Sequence, residues 1–299
     1  MRFSSATATI PLNGWTSIFT VKTGIKMKNI FALVCSLLFG LTSAQTHRFI
    51  YDFTYKADST QKDGRTVKMV LDVDGDKTQF YEFKALKMDS LNRTTSDFYT
   101  YEFPYEKLVR TTGSSANRNY QLKGSQYYTW DSTDPIRWKI MNDTKDRDGF
   151  RVQKAVAQFG GRQWTAWFTT DLPFSEGPYK FTGLPGLVTD VSDAESNFVY
   201  ALSAVKKLKV TNPDIVETLF RQNALKIPFK KYQEILVTHY NDPYNKYRSM
   251  QAGSWGITQN GKTINTVEGL NEITRNEQER IRKNNNPIEK DKMITYPVR

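Results

Sequence analysis

The chain has one cysteine, Cys35, and two histidines, His47 and His239, in 299 residues. A single thiol excludes a disulfide framework and any thiolate metal cluster. Two imidazoles leave little material for a histidine-based metal centre, and no metal or cofactor is expected. Long hydrophobic runs are also missing. The longest apolar stretch, Ile30 to Leu41, is about 12 residues, whereas a membrane-spanning helix needs about 20. There is no Walker loop, dinucleotide fingerprint or G-x-S-x-G elbow. Aromatic residues, by contrast, are plentiful, with 16 Tyr, 18 Phe and 6 Trp. That content argues against disorder. Lys and Arg number 42 against 31 Asp and Glu, a formal charge of +11.

Part of that charge belongs to an export segment. From Met27 the chain reads MKNIFALVCSLLFGLTSAQ. Lys28 is a positive n-region, Ile30 to Leu41 an apolar h-region, and Thr42-Ser43-Ala44 supplies small residues before a cleavage point. This is the layout of a secretory signal peptide cut after Ala44. Residues 1–26 then read as a mis-assigned start extension, with Met27 as the initiator. The expected mature chain, Gln45–Arg299, is cysteine-free and carries about +7.

The first two-thirds of that mature chain read as strands. Phe49, Tyr51, Phe53 and Tyr55 alternate with Ile50, Asp52 and Thr54, the period of two that places aromatics on one face. Thr66–Val73 runs into Asp74-Gly75, which predicts a type I′ hairpin to Gln79–Phe83. Further strands are predicted at Lys107–Thr111, Tyr120–Leu122, Gln126–Trp130, Arg137–Met141, Phe150–Phe159, Gln163–Thr169, Leu187–Val191 and Phe198–Val210. Phe159-Gly160-Gly161-Arg162 reads as another tight hairpin. No helical pattern intervenes. The expected fold is mainly β, a curved antiparallel sheet or half-barrel with a few C-terminal helices. Those helices are predicted over Ile227–Asn241, ended by Asp242-Pro243, and over a short Pro213–Leu225 stretch. One β-rich domain is expected over 45–265, with a polar, partly helical tail over 266–299.

The segment richest in information is GFRVQKAVAQFGGRQWTAWFTTDLPFSEGPYKFTGLPGLVTDV, residues 149–191. Leu184-Pro185-Gly186-Leu187 suits a type II turn, Pro presetting φ and Gly186 accepting a positive one. Gly183 suits a close backbone approach. Trp164 and Trp167, three apart on a strand, fall on opposite faces. One of them, with Tyr179 and Phe181, offers an apolar surface for a hydrophobic or peptide ligand. The segment is thus either a folding element or the rim of a binding cleft.

This string resembles the GLPGLI family of exported proteins from the Bacteroidota, whose motif stands here as Gly183–Val188. The likeness extends over Lys154-Ala155, Gly161-Arg162, Trp164, Ala166, Trp167 and the run GPYKF, Gly177–Phe181. One departure is Val152, where many relatives carry a cysteine in that strand. The resemblance implies an exported β-rich protein with no assigned activity, in the company of outer-membrane TonB-dependent receptors. It supplies no catalytic residues.

Chemistry outside that string is sparse. Asp171, Glu176 and Asp190 bracket the motif, and three carboxylates at one rim would permit a carboxylate-pair hydrolase. His47 lies near the expected mature N-terminus and His239 on the presumed helix, where it reads as a capping or packing residue near the C-terminal end. Asp72, Asp74 and Asp76 lack the bidentate glutamate of a calcium loop, since Glu82 comes too early, and read as turn chemistry. Basic clusters at Lys206, Lys207 and Lys209, at Lys230 and Lys231, and over Arg275–Lys283 read as solvated or anion-facing surface. Nucleic acid is not the expected partner of an exported chain. Asp58-Ser59-Thr60, Asp89-Ser90-Leu91 and Asp131-Ser132-Thr133, all in expected loops, look like Bacteroidota O-glycosylation motifs or ordinary turns. The expected role is a non-catalytic envelope binding or accessory protein. The competing readings are a secreted hydrolase and a carrier for an apolar or peptide ligand.

Overall fold

A computed structural model describes residues 45–298 except 98, 252 and 260. The signal-peptide reading over 27–44, the 1–26 extension and Cys35 lie outside the described residues. The strands are β1 (Thr46–Tyr55), β2 (Arg65–Asp74), β3 (Lys77–Glu82), β4 (Lys107–Thr111), β5 (Ala116–Lys123) and β6 (Gln126–Thr133). They continue as β7 (Lys139–Arg147), β8 (Phe150–Phe159), β9 (Arg162–Thr169), β10 (Leu187–Asp193), β11 (Phe198–Leu208) and β12 (Leu225–Lys226). All twelve form one sheet in the order β12-β6-β5-β4-β3-β2-β1-β11-β10-β9-β8-β7. Two antiparallel meanders therefore meet where β1 pairs with β11, and only β12 joins in parallel, beside β6. The sheet is large, curved and open, as the strand pattern predicts.

Connectivity explains the curvature. Ten strand spacings separate β6 from β7 in the sheet order, about 48 Å if laid flat. Only residues 134–138 join them, a reach of about 22 Å at full extension. The sheet must curl until its two ends approach each other. Within the curl, Phe49, Tyr51, Phe53 and Tyr55 pack on Met69, Leu71 and Val73 of β2 and on Phe198, Tyr200 and Leu202 of β11. Phe53 and Tyr200, direct partners in the β1–β11 register, stack at 4.1 Å. The opposite face buries Val70, Tyr81, Tyr120, Leu122 and Tyr127.

That outer face is covered by two helices, α1 (Lys84–Thr94) and α2 (Ile215–Thr218). Helix α1 corrects the expectation of an unbroken strand series. Its buried face is Ala85, Met88, Asp89 and Asn92. Half of that stripe is polar, so the apolar period is invisible in the sequence. Asn92 Nδ2 donates to the carbonyls of Leu219 at 2.9 Å and Tyr99 at 3.0 Å, tying α1 to the chain beyond α2.

Helix α3 (Phe229–Asn241) follows the predicted pattern, then a single turn, α4 (Asn245–Arg248), precedes the missed hairpin β13 (Ile257–Gln259) and β14 (Lys262–Ile264). Helix α5 (Val267–Lys283) is capped by Thr266, whose hydroxyl accepts from Gly269 N at 3.1 Å. No described helix is long and apolar enough to cross a membrane.

Turn chemistry is partly as expected. Gly160 and Gly161 both have positive φ, +59° and +73°, as a type I′ turn requires. Between β2 and β3, by contrast, Gly75 and Asp76 are the two loop residues. Only Gly75 has positive φ, as in a type II′ turn. Replacing Asn92 with Ala should remove both α1 ties and leave the Leu219 carbonyl buried without a donor. Urea denaturation is expected to show a loss of about 2 kcal/mol, and an unchanged midpoint would mean that α1 is not anchored this way.

Candidate functional site

The segment from Leu172 to Gly186 turns into the curl of the sheet and fills it. Tyr179, Phe181 and Leu184 are buried there, and Phe181 lies 4.5 Å from the ring of Trp164, which is itself fully buried. Trp167 projects from the other face, with Lys145 Nζ over its ring at 4.1 Å. The two tryptophans do face opposite ways. Of the four expected ligand-binding aromatics, only Trp167 keeps solvent contact.

The backbone of this plug is held by short turns. Phe174 N donates to Leu172 O and Gly186 N to Leu184 O, each at 2.8 Å. These are three-residue γ-turns with Pro173 and Pro185 at their centres, where proline's fixed φ suits the inverse form. Leu187 N then donates to Leu172 O at 3.1 Å and Val188 N to Glu176 O at 2.9 Å, while Tyr51 Oη donates to Val188 O at 2.7 Å.

The expected type II turn is therefore replaced, and the two motif glycines exchange roles. Gly183 takes the positive φ, +91°, with open space around it. Gly186 has no positive φ; a Cβ there would stand inside van der Waals contact of the Thr169 carbonyl.

Arg110 of β4 secures the plug. Its Nε and Nη2 donate to Glu176 Oε2 at 3.0 and 2.5 Å, Nη1 to Tyr179 O at 2.6 Å and Nη2 to Gly177 O at 3.1 Å. Glu176 Oε1 accepts from Gly113 N at 2.7 Å and Thr78 Oγ1 at 3.2 Å. Both ionic side chains are essentially sealed from water. Tyr179, held in this fork, has φ +51°, a conformation that a bulky residue adopts only under strong external constraint.

The three carboxylates expected at one rim are put to separate uses. Glu176 belongs to Arg110, Asp190 pairs with Arg147 at 2.5 Å, and Asp171 is exposed, accepting from Arg151 N at 3.4 Å.

A second charged group closes the other side of the plug. Lys180 Nζ reaches Glu289 at 2.6 Å and Asp134 at 3.1 Å. Tyr179 Oη donates to Glu289 at 2.6 Å, and Lys292 contacts both acids. Although burial opposes it, Lys180 and Lys292 hold the Asp134 carboxyl below its usual range. Burial pushes Glu106 above the usual carboxylate range, and Glu289 adds to this against Lys180.

Arg162 fixes the C-terminal segment: it donates to Ile288 O at 3.0 Å, Pro287 O at 2.9 Å and Asp193 at 3.1 Å. Ile288, from the stretch read as a polar tail, lies in the main core. These residues were missed because Arg110, Asp134 and Glu289 belong to no motif. A cation at an inward position of the predicted strand Lys107–Thr111 was the one available clue.

The remaining candidates serve structural roles. His47 packs on Phe174 at 4.8 Å. Burial lowers the His239 pKa in the last turn of α3. Asp72 forms a bidentate pair with Arg48 at 2.7 Å. Asp58 accepts from Thr60 N and Oγ1 in a local turn. The other two Asp-Ser motifs are not loops: 89–91 lies within α1 and 131–133 ends β6. Among the basic clusters, Lys231 pairs with Glu234 and Arg280 with Glu277. No group of three or more His, Cys, Asp or Glu among the described residues is arranged to hold a metal ion.

Three outcomes are expected. Gly186→Ala should cost more than Gly183→Ala, for which positive φ alone costs about 1–2 kcal/mol; equal losses would contradict the exchanged roles. Arg110→Met should cost about 3–5 kcal/mol by leaving Glu176 charged and unpaired. Adding Glu176→Leu should restore part of that loss in a double-mutant cycle. For Glu106, the folded state favours the protonated form. Its contribution is therefore complete below the ordinary carboxylate range and lost as pH rises through the raised value. Glu106→Gln should flatten that decline in a pH series of melting curves.

Among the solved structures that match the chain are two crystal forms of PNGF-II, in space groups C2 and P21. The first shares 19% identity at a TM-score of 0.49, the second 20% at 0.48. Each alignment covers 64% of this chain and 33% of the other, so the chain spans about a third of those proteins. No curated protein matches the chain. Residues 125–190, from β6 through the plug to β10, match a family model described as a protein of unknown function, Porph_ging.

Proposed function

We infer that the chain is an exported envelope protein of the GLPGLI type that works by binding, without catalysis, as an accessory to a transport system of the outer membrane. The observation that carries this reading is the use of both charged residues of the plug, Glu176 and Lys180, as structural ties. Glu176 is saturated by donors from Arg110, Gly113 and Thr78, and Lys180 is sealed between Glu289 and Asp134. A hydrolytic carboxylate pair needs two acids flanking a space for substrate, whereas Glu176 is sealed from water and held by donors of the chain itself. Of the aromatics offered in the sequence as a surface for an apolar or peptide ligand, Trp164, Tyr179 and Phe181 pack into the core of the chain itself. Binding then falls to the outer surface.

Export rests on the charged n-region, apolar run and small residues ahead of Gln45. The test is to purify the native protein from fractionated cells, sequence its N-terminus and identify what co-purifies. An envelope protein beginning at Gln45 with an outer-membrane receptor attached is the expected result. A cytosolic protein retaining Met1 would overturn it.

A further inference from the structure

Residues 135–139 carry the chain from the end of β6 onto the edge strand β7. In this extended stretch Ile136 and Trp138 pack against the core, and Trp138 Nε1 donates to Thr182 O at 2.9 Å. The alternate residues, Arg137 and Lys139, are thereby turned to the outside and are exposed. Lys139 is directly opposite Val156 of β8, and Val156 is opposite Thr165 of β9. Two residues back along the same register, Arg137 stands by Gln158, which pairs with Gln163. The result is an open groove of about 460 Å³, floored by Pro135, Val156 and Ala157 and edged by Arg137, Lys139, Gln158 and Gln163.

The donors are what set this groove apart. Most cations bordering the plug are matched to acids: Arg110 to Glu176, Arg147 to Asp190, Arg162 to Asp193 and Lys180 to Glu289. The guanidinium of Arg137, the ammonium of Lys139 and the two carboxamides make no side-chain hydrogen bond or ion pair with any described residue. No carboxylate lines the groove. The neighbouring acid, Asp134, is buried and committed to Lys180, Lys292 and Asn117. Further along the same face, Lys154 lies opposite Trp167. The face thus presents positive charge and amide donors over a short apolar floor.

We propose that this groove binds an anionic saccharide, one carrying a carboxylate or phosphate on a sugar ring. The anion sits between Arg137 and Lys139, whose fork and point charge suit such groups. The ring hydroxyls meet the carboxamides of Gln158 and Gln163, and the less polar ring face lies on Pro135 and Val156. The size of the groove is at the lower end for small-molecule sites, enough for one or two sugar rings. This gives the binding reading above a ligand class, and it rests on that reading.

The test is calorimetric titration of the Gln45–Arg299 protein with trigalacturonic acid, with glucose 6-phosphate and with neutral maltotriose. The proposal expects at least one anionic sugar to bind and maltotriose to fail. Affinity should fall about tenfold or more in R137E/K139E and on raising salt from about 50 to 500 mM. The two anionic arms separate carboxylate from phosphate recognition. Gln158→Ala, which leaves the charges in place, should weaken sugar binding while sparing inorganic phosphate. Because all three substituted side chains are exposed and unpaired, melting temperatures should match the parent and certify folding. Equal binding of maltotriose, unchanged affinity in folded R137E/K139E, or no binding by either anionic sugar would each overturn the proposal. An envelope location and a co-purifying receptor would survive that failure, so the two readings fail separately.

Discussion

The Arg110–Glu176 pair is the interaction on which the inside of this protein depends. Two opposite charges sealed from water cost several kcal/mol each in lost hydration, and a lone pair contact would not repay it. Here each partner has further work. Glu176 also accepts from Gly113 N and Thr78 Oγ1, and Arg110 also donates to the carbonyls of Gly177 and Tyr179. The pair satisfies backbone groups that the plug would otherwise bury without partners. It also holds the carbonyls of Gly177 and Tyr179 across this turn, which is why a bulky residue can remain at φ +51°. The specificity of the plug lies in this fork more than in its leucines.

Once the plug is seated, other features follow from it. The curled sheet has an inner face of large rings, among them Phe49, Tyr51, Phe53, Phe168, Phe198 and Tyr200. A curl imposed by a five-residue crossover leaves a furrow that side chains of the sheet alone do not fill, and Tyr179, Phe181 and Leu184 complete it. Arg162 then brings Ile288 and Glu289 against the Gly160-Gly161 turn, where the absence of side chains lets Glu289 approach. Glu289 in turn receives Tyr179 Oη and Lys180. The C-terminal segment is thus fastened to the motif by charge and closes the same core that the motif fills.

Much of this fold was legible in the sequence, and the exceptions have physical causes. Period-two alternation placed β1 aromatics on one face, and the strands Lys107–Thr111 and Phe150–Phe159 have the predicted bounds. Alternation works there because one face is apolar. It fails for α1, where Asp89 and Asn92 are buried beside Ala85 and Met88 and hydrogen bonds replace apolar contact. It also fails for the motif turn. Proline and glycine announced a tight turn at Leu184–Leu187, but whether glycine supplies positive φ or empty space depends on what lies opposite it. At Gly186 that is the backbone of Thr169, a neighbour no local pattern encodes. The candidate site was harder still. The aromatics of GPYKF are equally suited to a ligand and to a core, and only the position of Arg110, from an unrelated strand, decides between them.

The division of charge leads to the last step. Inside the curl, cations and acids are nearly matched, because an unmatched charge there would be prohibitive. The excess of Lys and Arg over Asp and Glu among the described residues must therefore reside on the outside. It is not spread evenly there either. Lys231 and Arg280 answer to acids on their own helices, whereas Arg137 and Lys139 face a groove with no acid in its lining. The alternation that turns Ile136 and Trp138 inward turns this pair outward, so the residues that link the two ends of the open sheet also charge its outer rim. A motif long enough to suggest a ligand site thus builds the interior, and the surface beside the β6–β7 crossover is where an anionic ligand finds unpaired donors.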